Sequence, residues 1–246
     1  MMLCGHRGVA SLAPENTLAG MRKVRELGLD WVEIDVQLTR DGTPVVIHDQ
    51  TVNRCTNGRG KVGDHELERL QQLDAGSWFD KAFKGESIPT LGQLLLLCRE
   101  LAINVNIELK TYHEDEADLL CHRVSQVIDA GPFSTDSLLF SSFNPACLML
   151  MKQLQPDLRR GLLVERIPGN WPQLMAEPGC YSLHCNFRYL TRAQARAVKQ
   201  AGYPLYCYTP NKPDKVKHFA DWGVDMLITD RPQDYLAAGW PPGSPA

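Results

Sequence analysis

Short apolar, β-branched runs alternate with longer stretches of helical spacing along most of this 246-residue chain. The apolar runs predict nine strands: Leu3–His6, Trp31–Val36, Val45–His48, Asn104–Leu109, Leu138–Ser141, Gly161–Val164, Tyr181–His184, Leu205–Tyr208 and Met226–Thr229. Helical patterns lie between most of them. Asn16 or Thr17 can cap a helix carrying Leu18, Met21, Val24 and Leu27, with Gly28 as its stop. Residues 191–201 form another, opened by Thr191 and closed by Gly202, and Pro89-Thr90-Leu91 open a third. Such alternation implies a parallel sheet with helical crossovers.

One connection breaks the rule. Between Val36 and Val45 lies QLTRDGTP, in which Asp41-Gly42 is a turn signal. A parallel crossover needs a dozen or more residues, so Val45–His48 must return antiparallel, as a hairpin arm. Setting that arm aside leaves eight parallel strands, the number that closes a (β/α)8 TIM barrel. The hairpin also folds His48 back toward Glu33 and Asp35. Residues 51–89 then form an insertion rich in Gly, Asn and charge, with one short helix near His65–Leu73 capped by Asp64. It reads as an excursion over the barrel mouth without a core of its own. The chain thus reads as one barrel domain over residues 1–246, with a loose tail at WPPGSPA.

Composition narrows the class. With 43% hydrophobic and 22% charged residues the chain is an ordinary globular protein. A net charge of −3 and scattered basic residues argue against a nucleic-acid surface or a polybasic membrane anchor. Apolar stretches such as Leu94–Cys98 are far too short to span a bilayer. The N-terminus shows no basic segment followed by an apolar run. Eight cysteines are spread without a Cys-x-x-Cys pair. They are expected to be reduced, mostly buried thiols, in a cytoplasmic protein.

In such a barrel, function collects at the C-terminal ends of the strands. His6 and Arg7 end the first strand, Glu33 and Asp35 the second, and Glu108 and Lys110 the next parallel one. The last two pairs are spaced i, i+2, which puts both side chains on one face. Three carboxylates converging inside apolar strands repel one another unless a cation neutralises them. Oxygen ligands suit a hard divalent ion, Mg²⁺ or Ca²⁺. Arg7 offers a planar fork for phosphate oxygens and Lys110 a point charge. His6 and His48 supply an acid and a base that titrate near neutral pH. Other residues stay open on sequence alone. His184 can line the site or belong to core or rim, and Phe143 can line the pocket or pack. Glu15 and Asn16 can cap a helix or support the site. Asp230, before Arg231-Pro232, reads as a helix cap. His65, His113, His122 and His218 read as solvated.

The segments GHRGVASLAPENTLAGM, VEIDVQLTRDGTPVVIHD, IPTLGQLL, NIELK, YCYTPN and GVDMLITDRP, in this order, closely resemble the bacterial glycerophosphodiester phosphodiesterases. The resemblance spans nearly the whole chain. It implies a barrel of the phosphoinositide-phospholipase-C-like type and accounts for the insertion at about 51–89. It implies Glu33, Asp35 and Glu108 as metal ligands, His6 and His48 as acid and base, and Arg7 and Lys110 as phosphate contacts. The implied reaction converts glycerophosphodiesters, such as glycerophosphocholine and glycerophosphoethanolamine, to sn-glycerol 3-phosphate and an alcohol. One departure is Tyr208, where many members carry Trp. Two rival readings use the same fold. A phospholipase acting on intact lipid would need an apolar rim or interfacial helix, and none is evident. A non-catalytic binding module would have lost a polar mouth residue, whereas all seven are present.

Overall fold

A computed structural model describes residues 1–113 and 115–240. Eight parallel strands close into a barrel: β1 (Met2–His6), β2 (Trp31–Leu38), β4 (Asn104–Leu109), β5 (Leu138–Ser142), β6 (Arg159–Val164), β7 (Ser182–Asn186), β8 (Leu205–Tyr208) and β9 (Met226–Thr229). Pairing of β1 with both β2 and β9 completes the ring. The short strand β3 (Pro44–Val46) hangs outside it, antiparallel to β2. This is the hairpin arm that the short Asp41-Gly42 link requires. It is shorter than expected, because past Val46 the chain bends so that the Ile47 amide donates to the Asp35 carbonyl while His48 turns toward the mouth.

The barrel is filled from below. Cys4, Trp31, Leu139, Tyr206, Met226 and Ile228 form a buried apolar plug. A larger shell between strands and helices includes Val32, Ile34, Ile107, Phe140 and Leu183. The polar side chains that end β1, β2 and β4 collect above this plug, at the C-terminal ends of the strands.

Local signals place the helices. In α1 (Leu18–Glu26) the Thr17 hydroxyl accepts from the Gly20 amide. Helices α3 (Leu91–Glu100) and α4 (Arg192–Gln200) open with reciprocal caps, Thr90 with Gln93 and Thr191 with Gln194. In the insertion the expected helix is displaced. A 3-10 turn covers Val62–Asp64, and α2 spans only Leu67–Gln71. Asp64 is not its cap. His65 is extended and its ring bonds the Arg59 carbonyl, while Asp41 from the hairpin turn accepts the Leu67 amide at 3.1 Å. The insertion also buries more than its composition suggests. Val52, Val62, Leu70, Leu73, Ala75 and Ile88 pack with Val45 and Ile47 of the hairpin arm into a cluster separate from the barrel's. At the other end, Trp240 is not loose. It is buried, edge-on to Tyr235 at 5.4 Å, and the rest of the tail lies outside the described residues.

Candidate active site

Register brings the carboxylates together. β2 and β4 pair with Glu33 beside Asn106 and Asp35 beside Glu108. Glu33, Asp35 and Glu108 each present a carboxylate oxygen, and these atoms lie within 4.8 Å of one another. Glu33 Oε1 and Asp35 Oδ1 are buried without a hydrogen-bond partner. Burial, then Asp35 and Glu108, pushes the Glu33 carboxyl well above its usual range. Burial and Asp35 also raise Glu108, against the pull of Lys110. Asp35 goes the other way: burial opposes its charge, but Arg7, His48 and Lys110 outweigh it. Three crowded carboxylates with orphaned oxygens fit a hard divalent cation, which removes the repulsion and supplies the missing partner.

The cations stand beside this cluster. Lys110 Nζ is 2.9 Å from Glu108 and 3.6 Å from Asp35. Burial works against its charge, but Glu108 and Asp35 raise its pKa. Arg7 Nε lies 3.4 Å from Asp35 and Nη1 donates to Glu15 at 2.9 Å. Arg7 adopts φ +54°, and its backbone amide donates to Glu33 Oε2 at 3.2 Å. The tight loop after β1 needs Gly5, since a Cβ there would sit 2.1 Å from the Gly8 carbonyl oxygen.

Each histidine is backed by a carboxylate. His6 Nδ1 is 2.6 Å from Asp230 Oδ1, and His48 Nδ1 is 2.8 Å from Asp49 Oδ1. An ionised carboxylate only accepts, so each Nδ1 carries the proton and each Nε2 is left for chemistry. His6 Nε2 lies 3.8 Å from Glu33. Burial, with Arg7 and Lys110 nearby, holds His48 below the ordinary imidazole range, while Asp35 and Asp49 pull it upward. The Tyr112 hydroxyl donates to the His48 carbonyl and ties the hairpin to the loop after β4.

One cavity joins these groups. His6, Arg7, Glu33, His48, Glu108 and Lys110 line it, with Asn106 and Ser141 buried in its lining and Phe143, Leu163, Tyr208 and Ile228 as its apolar wall. Asp35 lies behind them, reached by Arg7, Lys110 and the side-chain amide of Asn16.

All seven residues singled out in the sequence therefore converge. Of the open ones, Phe143 faces the cavity and meets Tyr208 edge-on at 6.0 Å. Asn16 and Glu15 support the site, while Thr17 does the capping. His184 is core: it is fully buried, 2.8 Å from Ser182 Oγ, and leans over Gly161, where a Cβ would clash at 2.4 Å. His113, His122 and His218 are exposed and His65 partly so. The reading of Asp230 as a cap is wrong. Helix α5 (Pro232–Ala237) starts without it, and the two carboxylate oxygens of Asp230 hold His6 and the Asn211 amide, each at 2.6 Å. Asp49, Asn106 and Ser141 were also missed. The rule that found His6, a polar residue at a strand's C-terminal end, applies equally to Asp230.

The glycerophosphoryl diester phosphodiesterase family model matches residues 6–234. A glycerophosphodiester phosphodiesterase of Caldanaerobacter subterraneus subsp. tengcongensis is 36% identical over 240 residues, 96% of each chain. An Oleispira antarctica phosphodiesterase, solved in complex with the product sn-glycerol-3-phosphate, is similar at a TM-score of 0.93 and 34% identity, over 97% of this chain and 96% of that one. A glycerophosphodiester phosphodiesterase of Agrobacterium tumefaciens gives 0.78 at 29% identity, over 96% and 99%.

Proposed function

Because this chain belongs to the glycerophosphoryl diester phosphodiesterase family, we propose that it hydrolyses glycerophosphodiesters to sn-glycerol 3-phosphate and an alcohol. Glycerophosphocholine and glycerophosphoethanolamine are representative substrates. The observation that carries this reading is one cavity lined by Glu33, Glu108 and two carboxylate-backed histidines, with Asp35 converging on the same two carboxylates from behind. The product bound to the Oleispira antarctica phosphodiesterase supports the same product here.

Glu33, Asp35 and Glu108 would hold Mg²⁺ or Ca²⁺, whose charge, when bound, polarises a phosphoryl oxygen. Arg7 and Lys110 grip the phosphoryl oxygens and offset the charge that grows on them. Their carboxylate partners keep both side chains aimed at the cavity. One histidine takes the proton of the attacking hydroxyl at Nε2, and the other delivers a proton from Nε2 to the leaving alcohol oxygen. Asp230 and Asp49 hold the rings in the tautomer this needs and stabilise the imidazolium. Water and the glycerol's own 2-hydroxyl are both suitable nucleophiles for this pair. The second would give a cyclic phosphate, which water opens with the two histidines exchanging roles. The wall of Phe143, Leu163, Tyr208 and Ile228 seats carbon atoms of the substrate and keeps bulk water from the phosphorus.

Purified protein offered glycerophosphocholine and phosphatidylcholine vesicles side by side tests the substrate class. Release of glycerol 3-phosphate from the first alone is expected. Preferential attack on the vesicles would assign the chain to intact lipid instead.

A further inference from the structure

Arg54 comes from the insertion and does not line the cavity, yet it joins the two sides of the catalytic mouth. Its Nε and Nη2 donate to Asp49 Oδ2 and Oδ1 at 2.7 and 2.9 Å. Its Nη1 and Nη2 donate to Glu15 Oε2 and Oε1 at 2.7 and 2.8 Å. Each of those carboxylates has a second task. Asp49 accepts from His48 Nδ1, and Glu15 accepts from Arg7 Nη1. A single guanidinium thus fixes the group behind one histidine and the group behind the phosphate-facing arginine.

We propose that Arg54 is a positioning residue for the reaction, locking the Asp49–His48 and Glu15–Arg7 pairs in one arrangement. The inference rests on the functional reading above. Asp49 directly follows His48 and is partly exposed, so without a clamp its carboxylate has several rotamers and water to choose from. Glu15 and Asp49 are like charges brought to one point, and the Arg54 cation between them offsets their repulsion. The planar fork matters as much as the charge. Four N–H bonds leave Arg54 in two bidentate pairs, whereas a lysine offers one compact ammonium that cannot span two carboxylates in this way. The insertion thereby contributes to catalysis without touching the substrate.

The alternative is that Arg54 only staples the insertion to the barrel. Steady-state kinetics and thermal melts of Arg54→Ala and Arg54→Lys, in the parent and in an Asp49→Asn/Glu15→Gln background, separate the two. Positioning predicts that Arg54→Ala lowers kcat about 10–100-fold while the protein stays folded, and that Arg54→Lys does not recover it. In the Asp49→Asn/Glu15→Gln background the same change should cost less than about threefold, since its two targets are already disabled. Recovery by Lys, an undiminished loss in that background, or parental kcat in folded Arg54→Ala overturns the proposal. Nitrogen-15 NMR of the His48 ring gives a readout independent of turnover. The ring should hold a single Nδ1–H tautomer in the parent and a mixture in Arg54→Ala, and an unchanged tautomer overturns the proposal too. A parent that releases no glycerol 3-phosphate from any glycerophosphodiester would defeat the functional reading, while the ring spectra would still decide the role of Arg54.

Discussion

His6 and His48 come from different ends of the fold's logic and are prepared in the same way. One ends a barrel strand, the other follows a hairpin arm, and the Nδ1–H of each donates a hydrogen bond to an aspartate. Acid–base catalysis typically contributes 10²–10⁴-fold. His48→Ala should therefore lower kcat by about that factor, roughly 3–5 kcal/mol of transition-state stabilisation. His65→Ala, at the insertion turn, should stay within about a few-fold of the parent, since its ring bonds the Arg59 carbonyl and does not line the cavity. Thermal melts of both variants control for folding, and near-parental kcat in a folded His48→Ala protein would remove it from the pair. Asp230→Asn should lower kcat by roughly 10²-fold with little change in melting temperature, because an amide no longer selects the His6 tautomer. Unchanged kcat would reduce Asp230 to a structural group. His184 carries a different signature. Burial alone drives its pKa down to about 3, below the ~6.5 of an exposed imidazole. As pH falls through about 6.5 the unfolded chain takes the proton first, so stability is lost from there toward pH 3. Denaturant unfolding at pH 7 and pH 5 should show a stability loss about 2 kcal/mol larger in the parent than in His184→Gln. Equal pH dependence in the two proteins would contradict this. The seven site residues were legible because each interrupts or ends an apolar run. Asp230 was not, because Asp-Arg-Pro is also a good local start for a helix, and only the ring of His6 at the end of the adjacent strand β1 decides between them.

At the scale of elements, chain lengths carry most of the information. The Asp41-Gly42 link is too short for a crossover, so β3 had to return antiparallel, and with it came His48. Strand positions were legible because buried parallel strands are continuous apolar runs. The insertion helix was misplaced because its first amide is held by Asp41, a residue distant in sequence that also accepts from the Thr39 hydroxyl at 2.6 Å. A cap supplied from another element leaves no local trace. Where the cap is local, it reads correctly, as at Thr90 and Gln93. Thr90→Ala should cost about 1 kcal/mol and lower the melting temperature by about 2–4 °C, with kcat unchanged. An unaltered melting temperature would mean that this cap does not support α3.

For the molecule as a whole, the apolar plug and the polar mouth divide the work. Cys4, Trp31, Leu139, Tyr206, Met226 and Ile228 hold the barrel closed, and the charged residues above them are free to be chosen for chemistry. All eight cysteines are buried and unpaired, and Cys185 and Cys207 remain 4.0 Å apart. Burial pushes the Cys98 thiol up to about 12 and the Cys180 thiol to about 11, which keeps them unreactive. Strong reductant should leave both the melting temperature and the activity unchanged, and a large drop in melting temperature would contradict this account of the thiols. Among the described residues no helix is long and apolar enough to cross a membrane. The crowding and orphaned oxygens of the carboxylate cluster ask for a cation. The most direct test of that requirement is glycerol 3-phosphate release from glycerophosphocholine, measured before chelation, after it, and after return of Mg²⁺ or Ca²⁺. Turnover should vanish on chelation and return with the ion; full turnover in rigorously metal-stripped protein would contradict the account.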